Sequence, residues 1–191
     1  DVRVIAQRSR NPRETHVLHR GNCLDPPEPV PPATLAVLPT LKMNNAAPSR
    51  LDFARWLVSL ENPLTPRVTV NHWWAHLFGE GLVKTTADFG VRGERPTHPE
   101  LLDYLARRFM DDGWSRKRLL KFIMMSATYR QSSAVKESLP LGTTTAVTRS
   151  QTELDTLQRV DPKNELLWRQ NRLRVEGEIV RDLHLATSGL L

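Results

Sequence analysis

Residues 49–130, SRLDFARWLVSLENPLTPRVTVNHWWAHLFGEGLVKTTADFGVRGERPTHPELLDYLARRFMDDGWSRKRLLKFIMMSATYR, decide the fold class. Ser49-Arg50-Leu51-Asp52 spells a capping box, in which a serine oxygen takes the orphan amide three residues on and an acid answers it. Leu51, Ala54, Leu57 and Val58 then recur at helical spacing, with Phe53, Trp56 and Leu60 widening the apolar side, until Asn62-Pro63 stops the pattern. Thr65-Pro66 predicts a second start, a cap followed by proline at the first helical position. Its apolar positions are Val70, Trp73, Trp74, Leu77 and Phe78, and Gly79 or Gly81 ends it where a left-handed residue is wanted. After a loop over 82–96, Thr97-His98-Pro99-Glu100 predicts a third helix by capping box and early proline, with Leu101, Leu102, Leu105 and Phe109 inward and Asp112-Gly113 as its end. Trp114-Ser115 leads into a fourth over 116–130, with Leu119, Leu120, Ile123, Met124 and Ala127 inward.

The flanks read differently. Eight prolines (Pro12, Pro26, Pro27, Pro29, Pro31, Pro32, Pro39 and Pro48) fall in the first 48 residues, so that stretch cannot be helical: each removes an amide donor and restricts the residue before it. Two β-like runs remain there, Val2–Ile5 and Thr15–Arg20, the second closed by Gly21-Asn22, which allows one small hairpin. Residues 132–160 are rich in Ser and Thr and read as a mobile connector. Asp161-Pro162 reads as the start of a short helix through Trp168, and a last helix over 174–187 presents Val175, Ile179, Val180, Leu183 and Leu185. The expectation is an all-α fold, a compact multi-helix domain at 49–191, with an extended Pro-rich N-terminal arm at 1–48 packed on the body.

Composition bounds the function. Hydrophobic residues are 39% and charged residues 25% of the 191, which rules out a wholly disordered chain. No apolar run reaches the ~18 residues a membrane span needs. The balance of 27 Lys+Arg against 21 Asp+Glu leaves a net charge of +6 and a pI near 10.0. Such a surface attracts nucleic acid, anionic lipid or an acidic polymer, though the same charge also serves solubility. The single cysteine, Cys23, excludes an internal disulfide framework, a cysteine-rich zinc site and a CxxCH haem attachment.

Several constellations carry chemistry-bearing residues. His72 and His76 lie four apart with Glu80 four further on, a spacing that puts them on one helix face as metal ligands would be. No glutamate follows His72 as a zinc protease motif requires, and histidines near a helix end are favourable there in their own right, so no metal site is assigned. Asp88-Phe89-Gly90 spells a kinase tripeptide without a Gly-rich loop or a catalytic-loop motif around it. The loop 84–98 is the densest in charge and glycine. A polar cleft, if the chain has one, is expected here, from Arg67, Asn71, Asp88, Arg95 and His98. Residues 113–130 hold Arg116, Lys117, Arg118, Lys121 and Arg130 with no acid, and aromatics interleave; the first four form a candidate polyanion contact. No serine nucleophile elbow is present.

The chain resembles the planctomycete-type domain of unknown function that accompanies planctomycete cytochrome c domains in large exported proteins. The features that carry the resemblance are NPLT at 62–65, Val70-Asn71, Trp74, FG and GLV within 78–83, DFG at 88–90, GERPTHPELLD at 93–103, GWS at 113–115 and Ser126 with TYRQSS within 126–133. PRETHVLHRGN at 12–22 is similar to the family's entry segment, and Asp161-Pro162, Asn164, Leu167 and the closing RDLHLATSGLL to its later part. His72 stands where the family usually has arginine, the 132–160 connector is longer than usual, and family members tend to continue past Leu191.

The resemblance implies an exported or periplasmic setting and companion domains, a c-type cytochrome among them, with any haem in the companion and no cofactor in this chain. It implies no activity and no catalytic residue. Three readings stand: a non-catalytic module for domain docking or substrate recognition, with an acidic polysaccharide as a candidate substrate; an enzyme domain, hydrolytic or redox-coupled, using the polar cleft; and a polyanion or nucleic-acid binder, nucleic acid being the least favoured partner.

Overall fold

Short-range capping chemistry sets most helix boundaries in the computed structural model, which describes residues 14–22, 24, 28–42, 48–133 and 151–190. The described residues form seven α-helices and one 3-10 turn, and no strand. The fold is all-α. The chain divides into two units, residues 1–65 and 66–191.

In the first unit, helix α1 (Arg50–Leu57) begins as the sequence predicts. Ser49 Oγ accepts from the Asp52 amide at 3.2 Å, and the Asp52 carboxylate accepts from the Ser49 amide at 2.9 Å. Such a cap stabilises a helix by about 1 kcal/mol. The helix ends at Leu57, five residues before Asn62, because Val58 to Asn62 close successive turns onto Ala54, Trp56 and Ser59. Its expected apolar face is not buried: Leu51, Phe53, Val58 and Leu60 are exposed. Trp56 instead stacks on Phe53 with ring centroids 5.6 Å apart and donates its indole N–H to the Pro39 carbonyl at 2.6 Å. That bond ties the Pro-rich stretch to α1. The 15–20 run makes an isolated antiparallel bridge, His16 to Pro29, in place of a laddered hairpin. The Val2–Ile5 run lies outside the described residues.

Helix α2 (Leu64–Phe78) is opened by Asn62 rather than by Thr65: the Asn62 side-chain oxygen accepts from the amides of Leu64 at 3.0 Å and Thr65 at 3.3 Å. In the second unit, α2 ends at Gly79, φ 87°, as its position predicts. Helix α3 (Pro99–Asp111) has proline in its first turn, but the expected capping box does not form. Thr97 turns away from the helix, its amide donating to the Leu82 carbonyl at 2.8 Å. Gly113 (φ 68°) and Trp114 (φ 59°) then turn the chain left-handed, and the Trp114 amide donates back to Phe109 at 2.9 Å.

The expected single helix over 116–130 is two, α4 (Arg116–Met124) and α5 (Ala127–Arg130). Ser126 divides them by donating its hydroxyl to Ile123 O at 2.6 Å and accepting the Tyr129 amide at 3.2 Å. The core joins α2, α3 and α4: Val70, Trp74 and Phe78, then Leu102, Leu105 and Phe109, then Leu119 and Ile123, with Leu82 and Val83 from the loop. Aromatic rings run through it, Trp74 stacked on Phe78 at 4.2 Å and Phe109 meeting both Trp73 and Trp114 edge-on at 5.0 and 5.1 Å. Each large side chain buried here contributes about 1.5–3 kcal/mol.

Three elements differ from the periodicity reading. The last ten residues of the 132–160 segment form helix α6 (Gln151–Val160), which buries Leu154, while residues 134–150 lie outside the described residues. A Ser/Thr-rich average concealed the Leu154 and Leu157 pair at helical spacing. Residues 161–168 are not helical, since Asn164 (φ 58°) and Leu167 (φ 54°) are left-handed. Helix α7 (Gly177–Ser188) forms, but none of its residues is buried.

Candidate functional site

The loop between α2 and α3 is held from beneath by Asn71. This side chain is fully buried, donates Nδ2 to the Val83 carbonyl at 2.9 Å and accepts the Val83 amide at 2.8 Å. An amide side chain thus satisfies both backbone groups of one buried residue, as a neighbouring strand would. Gly81 is required beside it: a Cβ there would stand 2.6 Å from the Val83 carbonyl oxygen and 2.7 Å from Asn71 Nδ2.

Further along, Thr85 and Asp88 knot the loop. Thr85 Oγ1 donates to the Asp88 carbonyl at 2.9 Å and accepts the Glu94 amide at 3.0 Å, while Asp88 Oδ1 accepts the Gly90 amide at 2.9 Å. Gly93 is pressed so close that an added Cβ would sit 2.0 Å from the Asp88 carbonyl oxygen.

A second support comes from residues 161–172, far away in sequence. Both Asp161 carboxylate oxygens accept backbone amides, from Glu165 and Leu166, each at 2.8 Å. The buried Asn164 side chain donates to Arg169 O and to Asn171 Oδ1, both at 2.8 Å, and Asn171 passes the connection on to the Phe78 carbonyl at 2.8 Å. The orphan carbonyl at the end of α2 therefore finds its partner 93 residues away. Gln131 donates to the Leu167 carbonyl at 2.6 Å.

Lys84 links the two supports. Its ammonium bonds Glu165 and stands 3.8 Å from Glu80. The hydrogen bond to Glu165 raises the Lys84 pKa above its ordinary value; burial opposes this, and the charges of Glu80, Glu165 and Glu94 add to it.

The five predicted cleft residues are distributed over this framework. Arg67 donates Nε to Asp103 of α3 at 2.6 Å, and that bond holds the Asp103 carboxyl below the usual carboxylate range. Asn71 is the buried loop clamp, and Asp88 is exposed and caps Gly90. Arg95 is exposed, and His98 is half-buried with Nδ1 3.0 Å from Thr97 Oγ1. Asn71 and the Thr97-His98 pair come together at adjacent residues, Val83 and Leu82; Arg67 is engaged on α3, and Asp88 on its own turn.

Arg116, Lys117, Arg118 and Lys121 are all exposed on α4. His72 and His76 are exposed on α2, and Glu80 faces Lys84. Among the described residues no three His, Cys, Asp or Glu side chains gather as a metal ion requires. No described helix is long and apolar enough to cross a membrane.

A family profile described as "PSD1: Protein of unknown function (DUF1553)" matches residues 49–191, starting at the α1 cap. The chain belongs to this family. No curated protein and no solved structure matches the chain.

The family match spans both supports of the loop. Asp161, Asn164, Glu165 and Asn171 were missed as parts of one framework. Their available signal was residue type: Asp and Asn at 161, 164 and 171 favour side-chain-capped turns and left-handed backbone over helix.

Proposed function

We propose that this family member is a non-catalytic helical module of a larger exported protein, and that it docks companion domains, a c-type cytochrome among them. One observation carries the reading. Three of the five polar side chains expected to form a reactive cleft are engaged elsewhere: Asn71 on the Val83 backbone, Asp88 on the Gly90 amide and Arg67 on the Asp103 carboxylate. A catalytic group must reach a substrate atom at hydrogen-bond distance, and Asn71, bonded on both polar atoms to buried backbone, cannot turn to do so.

The test is a calorimetric titration of the full chain with the separately produced cytochrome domain of its parent protein, beside a screen of ester, glycoside and phosphoester substrates. Saturable binding without turnover is the expected result. Turnover that disappears in a folded His98→Ala or Asp88→Asn variant would replace the module reading with the enzyme reading.

A further inference from the structure

Four cations of α2, α3 and the loop between them have acidic partners. Arg67 meets Asp103, Lys84 meets Glu165 and Glu80, Arg107 meets Asp111, and Arg108 approaches Asp112. The cations of helix α4 have none among the described residues. Arg116, Lys117, Arg118 and Lys121 are exposed and form no ion pair with any described residue, and residues 113–130 contain no acid at all.

Their placement works against the helix that carries them. Three of the four cations sit in the first turn of α4, where the helix dipole is already positive and no acid answers it. Lys117 and Arg118 also stand four and three residues before Lys121, spacings at which like charges repel. Folding alone gives no reason to keep this arrangement, whereas an acidic partner would neutralise all of it at once.

The same face carries apolar surface. Arg118, Lys121, Phe122 and Met125 follow at i, i+3, i+4 and i+7, so they line one side of the helix and its C-terminal turn. Phe122 is 37% exposed and Met125 63% exposed, and Tyr104 of α3, also exposed, lies against Phe122 with centroids 6.2 Å apart. Methionine, aromatic rings and arginine together are the composition of protein interface centres.

The rings argue against nucleic acid and sugar. Those ligands need an open ring face to stack on. The Arg108 guanidinium sits over the Phe122 ring, 3.9 Å from its centroid, and also donates to the Tyr104 hydroxyl at 3.2 Å. One face of the Phe122 ring is therefore already covered by a cation, and the surface left exposed suits an apolar side chain better than a stacked base.

We infer that the exposed face of α4 is a docking surface for an acidic segment of a partner protein, one whose carboxylates meet Arg118 and Lys121 while a large apolar side chain covers Phe122 and Met125. This rests on the module reading and names its contact surface and the chemistry of its partner. Electrostatic complementarity of this kind sets orientation and association rate, and an apolar centre slows dissociation.

The test is to pan the full chain against a random dodecapeptide display library at low salt, then to titrate a synthetic consensus peptide. Enriched peptides are expected to be net acidic with at least one large apolar residue. Affinity for the consensus should fall at least tenfold in the combined Lys117→Glu, Arg118→Glu, Lys121→Glu variant, and severalfold in Met125→Ser. Circular dichroism checks that both variants stay folded, which the exposure of all four residues favours.

Enrichment without acidic bias, or acidic peptides that bind the charge-reversed variant equally well, would overturn the surface. So would tighter binding of a thymidine 20-mer or of polygalacturonate than of the consensus peptide at 150 mM salt. If the cytochrome domain binds wild-type and charge-reversed protein alike, the α4 surface is refuted and the module reading survives. Acidic peptides captured at α4 while the cytochrome domain fails to bind would refute the module reading and uphold the surface.

Discussion

Truncation of Asn71 to alanine tests the loop support most directly. The side chain is 0% exposed and makes two hydrogen bonds, at 2.9 and 2.8 Å, to a residue that is itself only 3% exposed. Removing it strands the Val83 amide and carbonyl away from water. Each stranded group costs about 1–3 kcal/mol, so the expected loss is about 2–6 kcal/mol. Against a typical total of about 5–15 kcal/mol this is a large fraction, and it corresponds to a fall in Tm of roughly 4–24 °C for a chain of this size.

Urea unfolding followed by far-ultraviolet circular dichroism and by tryptophan fluorescence measures it. The midpoint should fall without a change in slope, since the surface exposed on unfolding is nearly the same. Asn71→Asp sharpens the test. A carboxylate still accepts the Val83 amide but cannot donate to the Val83 carbonyl, and burial disfavours its charge. At pH 7 this variant should be at least as unstable as Asn71→Ala. It should recover part of the loss as the pH falls toward 4, because the protonated acid donates and the native state then binds the proton more tightly than the unfolded chain. An Asn71→Ala variant within about 0.5 kcal/mol of wild type would refute the claim that this residue holds the loop, being no larger than an ordinary surface substitution.

Three further outcomes are expected. Gly93→Ala should destabilise by about 1–3 kcal/mol in a thermal melt, because its Cβ meets backbone 2.0 Å away rather than a side chain that can swing aside. Asp103 has a lowered folded pKa, so its pairing with Arg67 contributes stability above the unfolded value of 3.8 that is lost as pH falls through the folded one. Asp103→Asn should flatten that acid limb by about 0.2–1 kcal/mol in urea midpoints taken from pH 2 to 5, a small effect because the pair is partly in solvent. Lys84 has a raised folded pKa, so its contribution is complete below 10.5 and is lost as pH rises through the raised value. Glu165→Gln removes the principal cause of that rise, and an alkaline unfolding limb identical to wild type would contradict it.

The local signals were read well where both partners lie within a few residues of each other. The Ser49 capping box, proline in the first turn of α3 and the turn at Gly79 are all present, because caps and left-handed glycines depend on three or four residues of context. Where a side chain could choose between a local and a distant partner, the reading failed. Thr97 abandons its helix for Leu82, and Asp161 folds its carboxylate over Glu165 and Leu166 instead of opening a helix.

The candidate cleft shows the same division. The residue types were legible, and so was the density of the 84–98 loop. Their engagements were not, since Lys84 meets Glu165 across 81 positions of sequence.

Sequence alone determined that this chain is all-α, where most of its helices lie, and that α4 carries cations without acids. Those properties follow from composition and short-range periodicity. Only the tertiary structure decided which apolar faces are covered: the same helical spacing buries α3 at Leu102, Leu105 and Phe109 yet leaves Ile179, Val180 and Leu183 of α7 exposed. Periodicity records that a helix has an apolar side, whereas burial requires a second surface to meet it, and that surface comes from elsewhere in the chain.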